Sequence, residues 1–355
     1  MTPADPTVQH SVTWPKPSYR PVFPDGDRPG IGIVGCGHIV RKAHLPAYSE
    51  YGCEVVGVYD VRPEATAGVD VPVFSTLDAL LEDSRVGIVD IATHPDARPE
   101  LIRRALAAGK HVLAQKPLAL DLETARGLVD EAERAGLKLA VNQNGRWAPP
   151  WRIATLLVQQ GAVGEVHSVT HLLERGFEFV LEHPHFDEID HLLLYDHCVH
   201  WVDISRCWLD GSRVTEVQAR EYRSRSQPAA ARQPWGGWIA IQCDDGASAA
   251  IRSTGGAVAA VPGCRFWIHG SEGTIRGSIL LGSDRVELER DGATTAFPFG
   301  GAWYNDGFAG AMGELVTAIA EEREPYNSAR HNLLSLELTL AACRSAEQGG
   351  VPVSL

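Results

Sequence analysis

Between residues 30 and 149, short apolar runs alternate with stretches whose apolar positions recur every three or four residues. Residues 31–34, 55–59, 88–92, 112–113 and 139–141 read as strands, and their near-continuous apolar character demands burial on both faces. Residues 97–108 and 122–135 carry helical spacing. Strand and helix in turn mean a parallel sheet with crossover helices, a doubly wound architecture. After about Pro149 the rhythm changes. A helix at 151–160, a strand at 165–173 and a helix at about 192–208 are followed by strand-like runs at 214–222, 238–243, 247–253, 264–269, 274–278 and 286–288. Asp245-Gly246, Glu272-Gly273 and Asp291-Gly292 supply the turns between them, so this sheet is mainly antiparallel. Helices at 307–322 and 329–348 close the chain.

The pattern therefore predicts an α/β protein in two parts, a doubly wound parallel domain over 30–149 and an α+β domain over 150–355 with a large, mainly antiparallel sheet. Residues 1–29 stand apart. Prolines 3, 6, 15, 17, 21, 24 and 29 prevent a helix or a central strand, which leaves an extended arm that Trp14, Tyr19 and Phe23 can pin to a neighbouring surface.

Composition narrows the partners. The 355 residues are 44% hydrophobic and 22% charged, as in soluble globular proteins, and no uncharged apolar run approaches the roughly 18 residues of a membrane span. A formal net charge of −13 is the wrong sign for a nucleic-acid surface. Seven scattered cysteines without a C-x-x-C pair, and an N-terminus without a secretory signal, fit the reducing cytoplasm.

Three places carry chemistry. Gly35-Cys36-Gly37 follows the first strand and precedes a helical segment, where a sharp turn lets backbone approach a pyrophosphate at a helix N-terminus. Val40 stands where the fingerprint wants a small residue. Asp60 ends the next strand near the roughly 20-residue offset of the carboxylate that takes the ribose hydroxyls. That carboxylate would repel a 2′-phosphate, which favours NAD over NADP, whereas Arg62 can stack on adenine or recruit the extra phosphate. Lys116 lies just past the fourth strand, at the sheet edge where ligands bind. Farther on, Asp196, His200 and Asp203 are spaced four and three apart; on one continuous helix they share a face, with an imidazole between two carboxylates that favour its charged form.

Together with Ala43-His44-Leu45-Pro46, Gln115-Lys116-Pro117 and Pro325-Tyr326-Asn327-Ser328-Ala329-Arg330, these residues resemble the Gfo/Idh/MocA family of NAD(P)-dependent oxidoreductases from Gly30 to the C-terminus. The resemblance implies a Rossmann domain and hydride transfer between nicotinamide and a secondary alcohol of a sugar, cyclitol, sugar acid or related polyol. Lys116 would be the catalytic lysine, Asp196 the substrate-site aspartate and His200 the catalytic histidine. The cofactor would lie on Gly35, Gly37, His38, Ile39, Asp60, Arg62, Thr93, His94, Gln115 and Lys116. Substrate would meet Lys116, Arg146, Trp147, Asp196, His197 and His200. The open face of the antiparallel sheet would pair subunits into a dimer or tetramer. The sequence departs from the pattern at Gln115, where the family carries glutamate, so Lys116 loses an adjacent carboxylate.

Three other readings compete. His183, His185, His191, His197 and His200, with Asp187, Glu188 and Asp190 among them, could bind a metal, but the spacing lacks H-E-x-x-H logic, and no metal is expected. The same fold can use NAD catalytically in a redox-neutral cleavage or isomerisation of a sugar. It can also serve a non-catalytic NAD-binding regulator.

Overall fold

The computed structural model describes residues 14–355 apart from 175, 183, 226, 256–262 and 281. The first part of the proline-rich arm and His183 lie outside the described residues. The N-terminal half is built on a five-stranded parallel sheet of β1 (Gly30–Val34), β2 (Val55–Tyr59), β3 (Val86–Ile91), β4 (His111–Gln115) and β5 (Leu139–Asn142), in the order β2-β1-β3-β4-β5. Its helices are α1 (Leu45–Glu50), α2 (Leu77–Glu82), α3 (Arg98–Ala107) and α4 (Leu122–Arg134). Alternate side chains enter two separate cores, Ile31, Ile33, Ile88 and Leu113 on one face and Val34, Val89, Val112 and Val141 on the other. Burial on both faces is the reason the strands carry so few polar residues. A parallel bridge from Val58 to Val73 marks a further position outside β2. Strand order thus runs outward in both directions from β1 and β3, and a crevice opens at their carboxyl ends where the order reverses.

The C-terminal half begins with α5 (Pro149–Gln159), β6 (Val166–Glu174), α6 (Phe179–Glu182) and α7 (Val199–Trp208). Seven strands follow: β7 (Val214–Tyr222), β8 (Gly236–Cys243), β9 (Ser248–Thr254), β10 (Gly263–Gly270), β11 (Gly273–Ile279), β12 (Val286–Arg290) and β13 (Ala293–Ala296). After them come α8 (Trp303–Ala320), α9 (Ala329–Glu347) and β14 (Val353–Ser354). The sheet has nine strands in the order β13-β12-β11-β10-β6-β9-β8-β7-β14, with β6 and β9 its parallel pair.

Two expectations about this half need correction. The chain ends on a strand, β14, paired to β7, and not on a helix. Residues 192–208 are not one helix: a wide π turn, Leu192–His197, entered from His191 at φ 53°, precedes α7. Although late in sequence, α8 packs Phe308, Met312 and Leu315 into the same core as β1, so the end of the chain returns to the parallel sheet. Trp147 lies so close to Gly310 that a Cβ there would sit 2.2 Å from the indole, which only glycine avoids. Among the described residues, no helix is long and apolar enough to cross a membrane.

Candidate active site

At the carboxyl end of β1 the chain turns through Gly35 at φ 92°, where a Cβ would meet the Ala92 carbonyl at 2.7 Å. Both constraints select glycine. A Cβ on Gly37, in contrast, would have nothing within 4 Å, so the backbone there borders open space. The Asp60 carboxylate accepts from Cys36 N at 2.8 Å and from Arg62 N at 2.9 Å, which fixes the glycine turn to the end of β2. The Arg62 side chain, 63% exposed, turns back to the same carboxylate, with Nε 3.5 Å from Asp60 Oδ1. Beyond Ile39 the helix opens with a π turn, Val40–His44, with Val40 fully buried. The wide turn accommodates the β-branched residue that replaces the usual small one. A sharp glycine turn, open space above Gly37 and a carboxylate at the next strand end fit a dinucleotide.

The lysine loop is anchored from beneath. Arg98, 2% exposed, donates to the Pro117 carbonyl and, at 2.5 Å, to the Thr93 carbonyl, so one buried guanidinium ties the loop after β3 to the loop after β4. Burial lowers its pKa to about 10. Gln115 accepts from Lys116 N at 3.0 Å and donates from Nε2 to His44 Nε2 at 3.1 Å. His44 Nδ1 faces Asp90 Oδ2 at 2.6 Å, and Tyr48 donates to the same oxygen. With its Nδ1 proton given to Asp90, His44 presents a bare lone pair at Nε2, which needs a donor. An amide at 115 supplies one, whereas a glutamate would set oxygen against that lone pair.

The two halves meet at Lys116, whose Nζ donates to Asp196 Oδ1 at 2.9 Å and to the Asp196 carbonyl at 2.7 Å. The carboxylate absent at 115 thus comes from the other half of the chain. His200, half-buried in the first turn of α7, leans edge-on against Trp303 with ring centroids 5.3 Å apart. Its Nδ1 is buried without a hydrogen-bond partner. Burial, reinforced by the Lys116 charge and opposed by Asp203, lowers the His200 pKa to about 3.

Residues 30–143 match the oxidoreductase family with an NAD-binding Rossmann fold, and residues 151–276 match the Gfo/Idh/MocA C-terminal domain. The chain belongs to the Gfo/Idh/MocA family. It is 28% identical to a D-apiose dehydrogenase of Paraburkholderia graminis, over 89% of this chain and 87% of the relative. A scyllo-inositol dehydrogenase of Lactobacillus casei, solved with bound NAD(H) and scyllo-inositol, superimposes at a TM-score of 0.77 with 21% identity, over 92% and 99% of the two chains. An Agrobacterium radiobacter oxidoreductase solved with NAD+, L-tartaric acid and magnesium superimposes at 0.80 with 23% identity, over 92% and 98%. As a Gfo/Idh/MocA enzyme it is an NAD(P)-dependent dehydrogenase acting on CH–OH groups, with NAD as cofactor.

Several site expectations for this Gfo/Idh/MocA chain are corrected by its packing. Arg146, expected beside the substrate, is 1% exposed and turned to protein groups. It forks onto Asp203 at 2.6 and 2.7 Å and donates to the Tyr326 carbonyl at 2.6 Å. Burial pushes the Asp203 carboxyl up, but Arg146 outweighs it and holds the pKa at about 2. Trp147, 5% exposed, lies against Gly310 and Tyr326. Nor is His200 an imidazole gripped by two carboxylates, since Asp196 turns to Lys116 and Asp203 to Arg146. The i→i+5 turn before Cys198 breaks the register on which a shared face depended. The charged form of His200 is therefore disfavoured, contrary to the sequence expectation.

His197 sits between Phe177 and Trp201, with ring centroids at 4.6 and 4.9 Å. Exposed His38 and half-buried Ile39 lead into the π turn, and Thr93 borders the glycine turn. His94 lines a groove of about 860 Å³ with Asp121, Glu188, His191 and Tyr195. The histidine-rich stretch disperses: His191 pairs with Glu221 and Glu347, and Asp187 caps the backbone of Arg232 and Gln233. No group of three metal-ligating side chains occurs among the described residues. Sequence reasoning missed Arg98 and Trp303. Buried arginine beside a loop is invisible to periodicity, and Trp303 lies about a hundred residues from the histidine it touches.

Proposed function

We propose that this enzyme oxidises a secondary hydroxyl of a sugar, cyclitol or related polyol, reversibly and with NAD preferred over NADP, using Lys116, Asp196 and His200. The observation that carries the reading is the Lys116–Asp196 ion pair across the halves, with His200 beginning the next helix beside it. The glycine turn and Asp60 would hold the pyrophosphate and a ribose of NAD, and the bound cofactor would supply the hydride-accepting nicotinamide. His200, neutral at ordinary pH, accepts the hydroxyl proton; with Nδ1 sealed in the protein, Nε2 is the nitrogen that meets substrate. The Lys116 ammonium donates to the same oxygen and stabilises the charge that develops as the proton leaves. Asp196 aims the ammonium through its carboxylate and its carbonyl, so the lysine is pre-oriented before substrate arrives.

In this reading residues 30–149 bind the dinucleotide, residues 150–355 bind substrate, and the uncovered face of the nine-stranded sheet pairs subunits into a homodimer or homotetramer. The alternating exposure of Thr170, Trp238, Arg252 and Trp267 on that face supports pairing, and light scattering at micromolar concentration tests it. For the reaction, the purified protein is assayed with NAD and a panel including D-apiose and scyllo-inositol. A rise in NADH absorbance with at least one polyol is expected. Turnover without net absorbance change would instead support redox-neutral use of NAD, and no turnover with any polyol would overturn the reading.

A further inference from the structure

The N-terminal arm precedes the first residue matched to the family, yet it touches the segment that carries the aromatic wall of the site. Gly300, Gly301 and Ala302, which lead into α8, are exposed, and Gly301 lies at φ 99°. A turn of this kind has little burial of its own to hold it. The arm supplies the restraint. Tyr19, 8% exposed, donates from its hydroxyl to the Gly300 carbonyl at 3.3 Å and accepts from Gly300 N at 3.0 Å. Arg20 pairs with Asp306 at 2.6 Å, and Asp306, itself buried, accepts from Ala302 N at 2.8 Å and from the Tyr51 hydroxyl at 2.8 Å. A Cβ at 301 would strike Asp306 Oδ2 at 2.2 Å and Arg20 Nη1 at 2.7 Å, so the ion pair is seated directly on the turn. Farther along, Phe23 packs on Tyr51 and on Gly313 of α8.

The residue thus held is Trp303. Its Nε1 donates to Asn144 Oδ1 at 2.7 Å, its ring lies 5.0 Å from Trp151, and His200 meets it at an interplanar angle of 81°. We propose that the arm is part of the substrate site: Tyr19 and Arg20 are positioning residues that fix Trp303 as the wall against which His200 receives the polyol. An indole face beside the proton acceptor suits the apolar C–H face of a sugar or cyclitol ring. Small displacements of that wall change how the hydroxyl is presented while the glycine turn that holds the nucleotide stays in place.

This inference rests on the dehydrogenase reading, and its test separates the two. Full-length wild type, Tyr19→Phe, Arg20→Gln and Arg20→Lys are compared, with NADH and the best polyol of the panel as probes. Tyr19→Phe and Arg20→Gln should each raise the polyol KM about tenfold, the equivalent of about 1.4 kcal/mol, and leave kcat within about threefold and the NADH dissociation constant within about twofold. Arg20→Lys, which keeps one charged hydrogen bond, should recover most of the KM. Hydrogen exchange read by mass spectrometry should accelerate at 300–303 in the two disruptive variants and stay unchanged over the glycine turn and the end of β2, residues 30–38 and 55–60. Unchanged exchange at 300–303, or an unchanged KM, overturns the proposal, as does a parallel loss of NADH affinity and KM that marks general loosening. Inactivity of the wild type on the whole panel would overturn the dehydrogenase reading instead, and exchange at 300–303 would still decide whether the arm holds the turn.

Discussion

Arg146 separates a structural role from a substrate role, and its substitution gives a quantitative test. Replacing it with methionine keeps a long side chain but leaves Asp203, 1% exposed, with Ser335 Oγ at 2.6 Å and Arg206 at 3.8 Å as partners for a full negative charge. Breaking a buried ion pair from one side typically costs about 3 to 5 kcal/mol, because the remaining charge is neither solvated nor matched. At roughly 2 to 4 °C per kcal/mol for a unit of this size, the melting midpoint should fall by about 6 to 20 °C. The double variant Arg146→Met/Asp203→Leu removes both charges and should recover most of that loss, since a well-packed apolar pair replaces a buried ion pair at little net cost. Denaturant or thermal unfolding followed by circular dichroism measures both. At a temperature where the variant is folded, its polyol KM should stay within about threefold of wild type. A rise in KM of tenfold or more with stability intact would refute the reasoning and return Arg146 to the substrate.

Other outcomes follow from the same geometry. His200→Ala and Lys116→Ala should each lower kcat by about 10² to 10⁴ while NADH affinity, read by fluorescence titration, changes by no more than a few-fold. Wild type should bind NADH more tightly than NADPH, and Asp60→Ser should narrow the difference; equal affinities in the wild type would show that Arg62 governs the pocket. Buried His171, whose pKa burial lowers to about 3, stays neutral in the fold, whereas the unfolded chain takes up a proton below about pH 6.5. Its contribution is therefore complete above that pH and is lost as pH falls from 6.5 towards 3, by up to about 1.4 kcal/mol per pH unit. Unfolding midpoints at pH 7.5 and 5.5 should differ less in His171→Gln than in wild type, and an identical difference would sink the assignment.

Hydrophobic patterning on its own determined the class of each sheet, because apolar runs and turn residues act through local geometry. Strands 55–59 and 214–222 are present over the residues that the pattern marked, and the positive φ of Gly35 belongs to its own turn, whereas the Ala92 carbonyl that also excludes a side chain there comes from another loop. Short elements escaped: α1 and α2 span too few residues to establish a period, and β13 carries little beyond alanine and threonine. Candidate site residues were nameable where a motif suggested a role, as with Asp60, Lys116 and His200, but their partners in the fold were not. Whether Arg146 faces a ligand or Asp203 depends on the packing of helices that lie some fifty residues apart, and periodicity carries no term for that. The π turn before α7 is a tertiary outcome as well: it turns Asp196 towards Lys116 and leaves His200 against Trp303. The charge state of His200 was decided last, since two carboxylates nearby in sequence suggested a raised pKa and burial beside an ammonium gave a lowered one. Sequence named the groups, and three-dimensional packing assigned each carboxylate to its cation, because a buried charge must find its partner in space and not along the chain.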